Sequence, residues 1–164
     1  MPRVRFLVIF LVLLGVFELT LLFDPVDRSV VRPFTHEIAV ASGGILRNVA
    51  SGVVVNGTMI VAPCFAVDIH NGCNGVEATM FIVAAVLAFP ATWPQRAIGA
   101  LAGTALIQIA NLIRVVSLFL IGCYRRSWFE AAHLAVWQTI IFALAVGFFI
   151  MWSRRSVPVN ASSA

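Results

Sequence analysis

The sequence predicts an all-α integral membrane protein of about four transmembrane helices, carrying a small extracytoplasmic amphipathic helix and β-meander. Three observations predict this class. Hydrophobic residues make up 61% of the 164 positions and charged residues only 11%, with a mean hydropathy of +1.00, a balance foreign to soluble domains. Four apolar runs approach or exceed the length needed to cross a hydrocarbon core of ~30 Å. All eleven cations are arginine, scattered as helix-end contacts to membrane lipids rather than gathered into a nucleic-acid face. Residues 1–164 read as one membrane domain.

The elements follow in order. Residues 6–23 form an apolar run broken only by Glu18, and the following Asp24-Pro-Val-Asp27 offers no small-residue cleavage site, so the run reads as an anchor rather than a signal peptide. Residues 24–75 lie outside the membrane. Within them Phe34, Ile38, Ala41, Ile45 and Val49 recur at helical spacing, predicting an amphipathic helix on the bilayer surface. Two apolar runs joined at Asn56-Gly57 then predict a hairpin, and alternation through Phe65, Val67 and Ile69 adds a third strand. Asn56-Gly-Thr and Asn160-Ala-Ser fit a glycosylation pattern, read here as turn chemistry and tail composition. Spans at 76–93, 97–121 and 131–152 complete the chain.

In this topology the second span begins, the third ends and the fourth begins at one membrane face. Cys73, Arg114 and His133 therefore share a leaflet. Five arginines fall on each side, but Arg3, Arg5, Arg96, Arg154 and Arg155 occupy the shorter segments. That density places both termini in the cytoplasm and the cluster outside.

Cys73 sits between Gly72 and Asn74-Gly75, in a turn that runs straight into an apolar helix. A helix N-terminus there favours thiolate, and free N–H groups of its first turn can face an oxyanion. With His133 as proton carrier and Arg114 beside a thiolate, oxyanion or substrate carboxylate, the set suits nucleophilic acyl transfer. Gln108, Asn111 and Arg114 fall three apart on one helix face, poorly suited to lipid. Glu77 is a candidate partner for Arg114, and Asn74, Asn111, Asp68 and Gln138 are candidate supporting residues. Plainer readings stand beside this one: an inert thiol, a snorkelling arginine, an interfacial histidine. A metal set of Cys64, His70 and Cys73, joined by His36, matches no compact zinc spacing, so neither metal nor cofactor is expected. Cys64 pairs with Cys123 or both are free; a Cys64–Cys73 disulfide is the alternative that removes the nucleophile. The rival to an enzyme is a membrane assembly or transport subunit using Arg114 and Glu77 as a buried charge pair.

Cys73-Asn-Gly-Val-Glu-Ala78, Asn111-Leu-Ile-Arg114-Val and His133, in that order, resemble the exosortase and archaeosortase family of membrane cysteine transpeptidases or proteases. Ile69-His-Asn-Gly-Cys73 and Ala132-His133-Leu-Ala-Val-Trp137-Gln138, with the short length, resemble the exosortase H type. The resemblance covers about residues 65–140. It implies Cys73 as nucleophile, with Arg114 and His133 completing the site. It implies as partners surface-destined proteins anchored in a bacterial inner membrane, each ending in a short motif of the Ile-Pro-Thr-Leu type, a transmembrane helix and a basic tail. Many relatives have more spans, and so thin a scaffold leaves homo-oligomers open.

Overall fold

The computed structural model describes residues 2–156. Helix α1 (Pro2–Leu21) is followed by a helical turn at Asp24–Val26 and a π-type turn at Asp27–Val31, which lead into α2 (Arg32–Leu46). Strands β1 (Val54–Asn56), β2 (Met59–Ala62) and β3 (Phe65–Asp68) precede α3 (Val76–Ala88) and α4 (Trp93–Tyr124). Short turns at Arg126–Trp128 and Phe129–Ala131, then a π-type turn at Ala132–Val136, open α5 (Trp137–Arg155). Three long apolar helices, a shorter one and a three-stranded antiparallel sheet are the predicted class. Asn160 lies outside the described residues.

Two apolar layers are stacked along α4. In the first, Ile82 and Val86 of α3 meet Ile107 and Ala110 of α4 and Ile141 and Ala145 of α5, while α1 lies against α3. Phe6, Phe89, Phe149 and Trp152 gather at one end of this layer, with ring centroids 5.8 Å apart for Phe6–Phe149 and 5.5 Å for Phe89–Trp152. In the second, Ala39 and Leu46 of α2, Ile60 and Ala62 of β2, and Ile69 close over Val115 and Phe119 of α4. The C-terminal part of α4 thus carries the sheet. A disulfide between Cys64 and Cys123, with Cα atoms 5.0 Å apart, fastens the β2–β3 turn to the end of that helix.

Span lengths differ from expectation for identifiable reasons. The second span, expected at 76–93, stops at Ala88 because Pro90 disfavours helix in the residue before it; Phe89 has ψ 139°. Its 13 residues rise only ~20 Å at ~1.5 Å each, short of a full bilayer core. The third, expected at 97–121, starts at Trp93, where the Thr92 and Gln95 side chains cap the first turn reciprocally and Pro94 fits its first positions. It runs 32 residues because its last turns serve the second core.

The amphipathic helix exists, and the face beside its apolar stripe packs inside the protein. Thr35, Ala39, Ser42, Gly43 and Leu46 point inward, whereas Phe34, Ile45 and Val49 are exposed by 36%, 43% and 55%. Close approach selects the small residues: a Cβ on Gly43 would overlap the Val55 side chain of β1. The large apolar groups are left facing outward, where lipid can solvate them. The hairpin lies where Asn-Gly put it, except that Asn56 closes the ladder opposite Met59 and the loop is Gly57-Thr58, with Gly57 at φ +62°. His36 Nδ1 lies 2.7 Å from the Gly57 carbonyl, tying the loop to α2.

Candidate active site

The turn from Ile69 to Gly75 joins the sheet to α3. Its shape depends on two left-handed glycines, Gly72 at φ +85° and Gly75 at φ +77°, which let Cys73 and Asn74 turn back on the strand. The Cys73 N–H donates to the His70 carbonyl at 2.9 Å, closing the turn. Asn74, fully buried, holds it from both sides. Its Nδ2 donates to Thr35 Oγ1 on α2 at 2.9 Å and to Asn71 Oδ1 at 3.3 Å, while its Oδ1 accepts the Val76 N–H at 3.0 Å in a turn that leads into α3.

The polar face of α4 backs this turn. Gln108 Nε2 donates to the Gly75 carbonyl at 3.2 Å and to Thr79 Oγ1 at 2.9 Å. Asn111 is fully buried against Gly75, so close that a Cβ there would come within 3.1 Å of its Cγ. Arg114, only 4% exposed, donates from Nη1 to the Gly72 carbonyl at 3.2 Å and from Nη2 towards Cys73 Sγ at 3.8 Å.

His133 completes the cluster from the other side. Its Nε2 lies 2.8 Å from Cys73 Sγ, and its ring stacks on Phe129 with centroids 5.7 Å apart. The π-type turn at Ala132–Val136 sets its direction; such turns recur at functional positions in helices. The three residues named from sequence are thus within contact of one sulfur atom, and Cys73 is a free thiol.

Electrostatics around that sulfur run against the expected resting thiolate. Burial pushes the Cys73 thiol above its ordinary value, Arg114 opposes this, and nearby Glu77 adds to it. Burial thus favours the S–H form at rest, with Sγ 2.8 Å from His133 Nε2. Two N–H groups that could have faced an oxyanion are already engaged, Cys73 by His70 and Val76 by Asn74. Arg114 is the cation left to meet developing negative charge.

Other expected residues make different contacts. No ion pair joins Glu77 to Arg114, because the guanidinium is turned to Gly72 and Cys73; the charge-pair reading of these two residues loses its geometry. Asp68 accepts from Thr58 Oγ1 at 2.6 Å and meets His70 Nε2 at 3.3 Å, so it braces the strand end. Gln138 is exposed, carried outward five residues beyond His133. The disulfide removes Cys64 both from a pairing with Cys73 and from a metal set with it. Thr35 and Phe129 were not foreseen; neither position carries a local signal, since each acts by packing from a distant element.

Cys73, Arg114 and His133 open onto a cleft of about 380 Å³ whose other walls are Phe65–Asn71, Val115, Leu118 and Phe129. A half-buried free thiol, a base at hydrogen-bond distance and a buried guanidinium can together open an acyl bond. Neither a curated protein nor a solved structure matches the chain. A family model described as transmembrane exosortase matches residues 2–153, and the chain belongs to that family, whose members are membrane cysteine transpeptidases that process sorting signals.

Proposed function

We propose that the protein cleaves the C-terminal sorting signals of surface-destined proteins at the outer face of a bacterial inner membrane, through a Cys73 thioester. The observation that carries this reading is the sulfur held 2.8 Å from His133 Nε2 with Arg114 Nη2 at 3.8 Å. His133 takes the thiol proton as Sγ attacks the scissile carbonyl carbon, and the oxygen gains its negative charge beside Arg114. Collapse breaks the C–N bond, and His133 returns the proton to the leaving amine. Water, or an acceptor amine or hydroxyl, then attacks the thioester and restores the thiol. Burial of the resting thiol as S–H is compatible with this, since the proton leaves only as the nucleophile attacks.

The outward orientation rests on two supports. The Cys64–Cys123 disulfide belongs to an oxidising compartment, and arginine density favours cytoplasmic termini. A substrate helix with a cytoplasmic basic end would then bring its motif level with Cys73.

The test is co-expression with a reporter made of a passenger, an Ile-Pro-Thr-Leu segment, an apolar helix and an arginine-rich tail. Wild type shortens the reporter, whereas Cys73→Ala leaves it at full length. Continued shortening by Cys73→Ala would overturn the reading.

A further inference from the structure

The cleft beside Cys73 is walled along one side by a strand with an unpaired edge. The sheet order is β1-β2-β3, so β3 is an outer strand. The Ile69 N–H donates to the Thr58 carbonyl at 3.1 Å, and β3 pairs with β2 in the register Val67 to Ile60 and Ala66 to Val61. In an antiparallel ladder of this phase, Phe65, Val67 and Ile69 exchange bonds with β2, while Ala66 and Asp68 turn their N–H and C=O groups to the free side. Among the described residues, no main-chain or side-chain group bonds those four atoms. The opposite edge of the sheet is different, because β1 is packed under α2. Edge strands of folded proteins are commonly blunted by proline, lysine or a bulge; β3 carries none of these, and every one of its residues lines the cleft that holds Cys73, Arg114 and His133.

We infer that the substrate segment binds as a fourth strand, pairing its backbone with Ala66 and Asp68 and so laying its scissile carbonyl beside Cys73. This rests on the proposed function for the occupant, an extended peptide that leads into a membrane helix. Main-chain pairing supplies affinity without demanding a side chain at every position, and alternate residues meet the walls of the cleft. Only every second residue of the bound segment presents its N–H to β3. A proline in the segment must occupy a position turned away, so in Ile-Pro-Thr-Leu the residues facing β3 are Ile and Thr.

Two measurements test this on the intact protein in detergent. Synthetic peptides spanning the Ile-Pro-Thr-Leu segment are scored by how far they protect Cys73 from iodoacetamide. N-methylation at Thr weakens protection about tenfold, roughly the worth of one or two backbone hydrogen bonds, while N-methylation at Leu leaves it unchanged. The second measurement is Ala66→Pro, which removes one outward N–H at an edge position where proline is tolerated. It retains its melting temperature and its iodoacetamide labelling without peptide, and it loses both peptide protection and reporter shortening by about tenfold. Equal sensitivity at Thr and Leu, no protection by any of the peptides, or full protection in Ala66→Pro would each overturn strand addition. Reporter shortening that survives Cys73→Ala defeats the enzyme reading instead. Shortening lost in Cys73→Ala but kept in Ala66→Pro defeats strand addition alone.

Discussion

At the scale of single residues, the site is organised by what surrounds one sulfur. Burial and Glu77 hold the Cys73 proton on, and Arg114 works to release it. The sign of each substitution follows from that. Iodoacetamide labelling of free Cys73 should rise with pH around a midpoint above that of an ordinary thiol, ~8.5. Glu77→Gln should move the midpoint down and Arg114→Ala should move it up. Labelling read by intact mass checks both, and shifts in the opposite directions would mean that the charges act on Cys73 otherwise than their positions require. His133→Ala removes the proton acceptor and should cost reporter processing about a hundredfold or more, the usual worth of a general base. The meeting of Cys73, Arg114 and His133 was legible in the sequence because the topology fixes one leaflet for a helix start, a helix end and a helix start. Their neighbours were not, because a threonine on α2 reaches Asn74 only through folding that joins residues 39 positions apart.

Among the elements, the turn before α3 concentrates the backbone requirements. Gly75 has φ +77°, and a Cβ there would meet Asn111 and Gln108 at 3.1 Å. Gly75→Ala should therefore cost about 1–2 kcal/mol from the left-handed conformation alone, seen as a lower melting temperature in detergent together with a displaced Cys73 and slower processing. Gly72→Ala has the same backbone strain at φ +85° but open space around its Cβ, so it should retain more stability than Gly75→Ala. Helix boundaries show which local signals decide. Pro90 cuts α3 short and the Thr92–Gln95 cap starts α4 early; both signals are in the sequence, but hydropathy alone runs past them. The face of α2 could not be read from an apolar stripe, since contact with β1 selects small side chains while lipid accommodates the large ones.

For the whole molecule, the two layers along α4 divide the labour: one anchors the chain in the bilayer, and the other holds the sheet and the cleft over Cys73. The disulfide joins the sheet layer to α4 across 59 residues of sequence. By restricting the unfolded chain it should stabilise the protein by about 2–4 kcal/mol, so the Cys64→Ser, Cys123→Ser double variant should melt lower than wild type. Cys73 should label equally in both, being free in each. The same bond reports orientation. If the sheet layer faces the oxidising side, Cys64 and Cys123 in spheroplasts become reactive to a membrane-impermeant maleimide only after treatment with an impermeant reductant. A cysteine placed at Arg155, at the opposite end of α5, stays unlabelled until the membrane is opened. Reversal of these two patterns would put the cleft in the cytoplasm, where a secreted passenger could not reach Cys73 and the sorting reaction proposed for it could not take place.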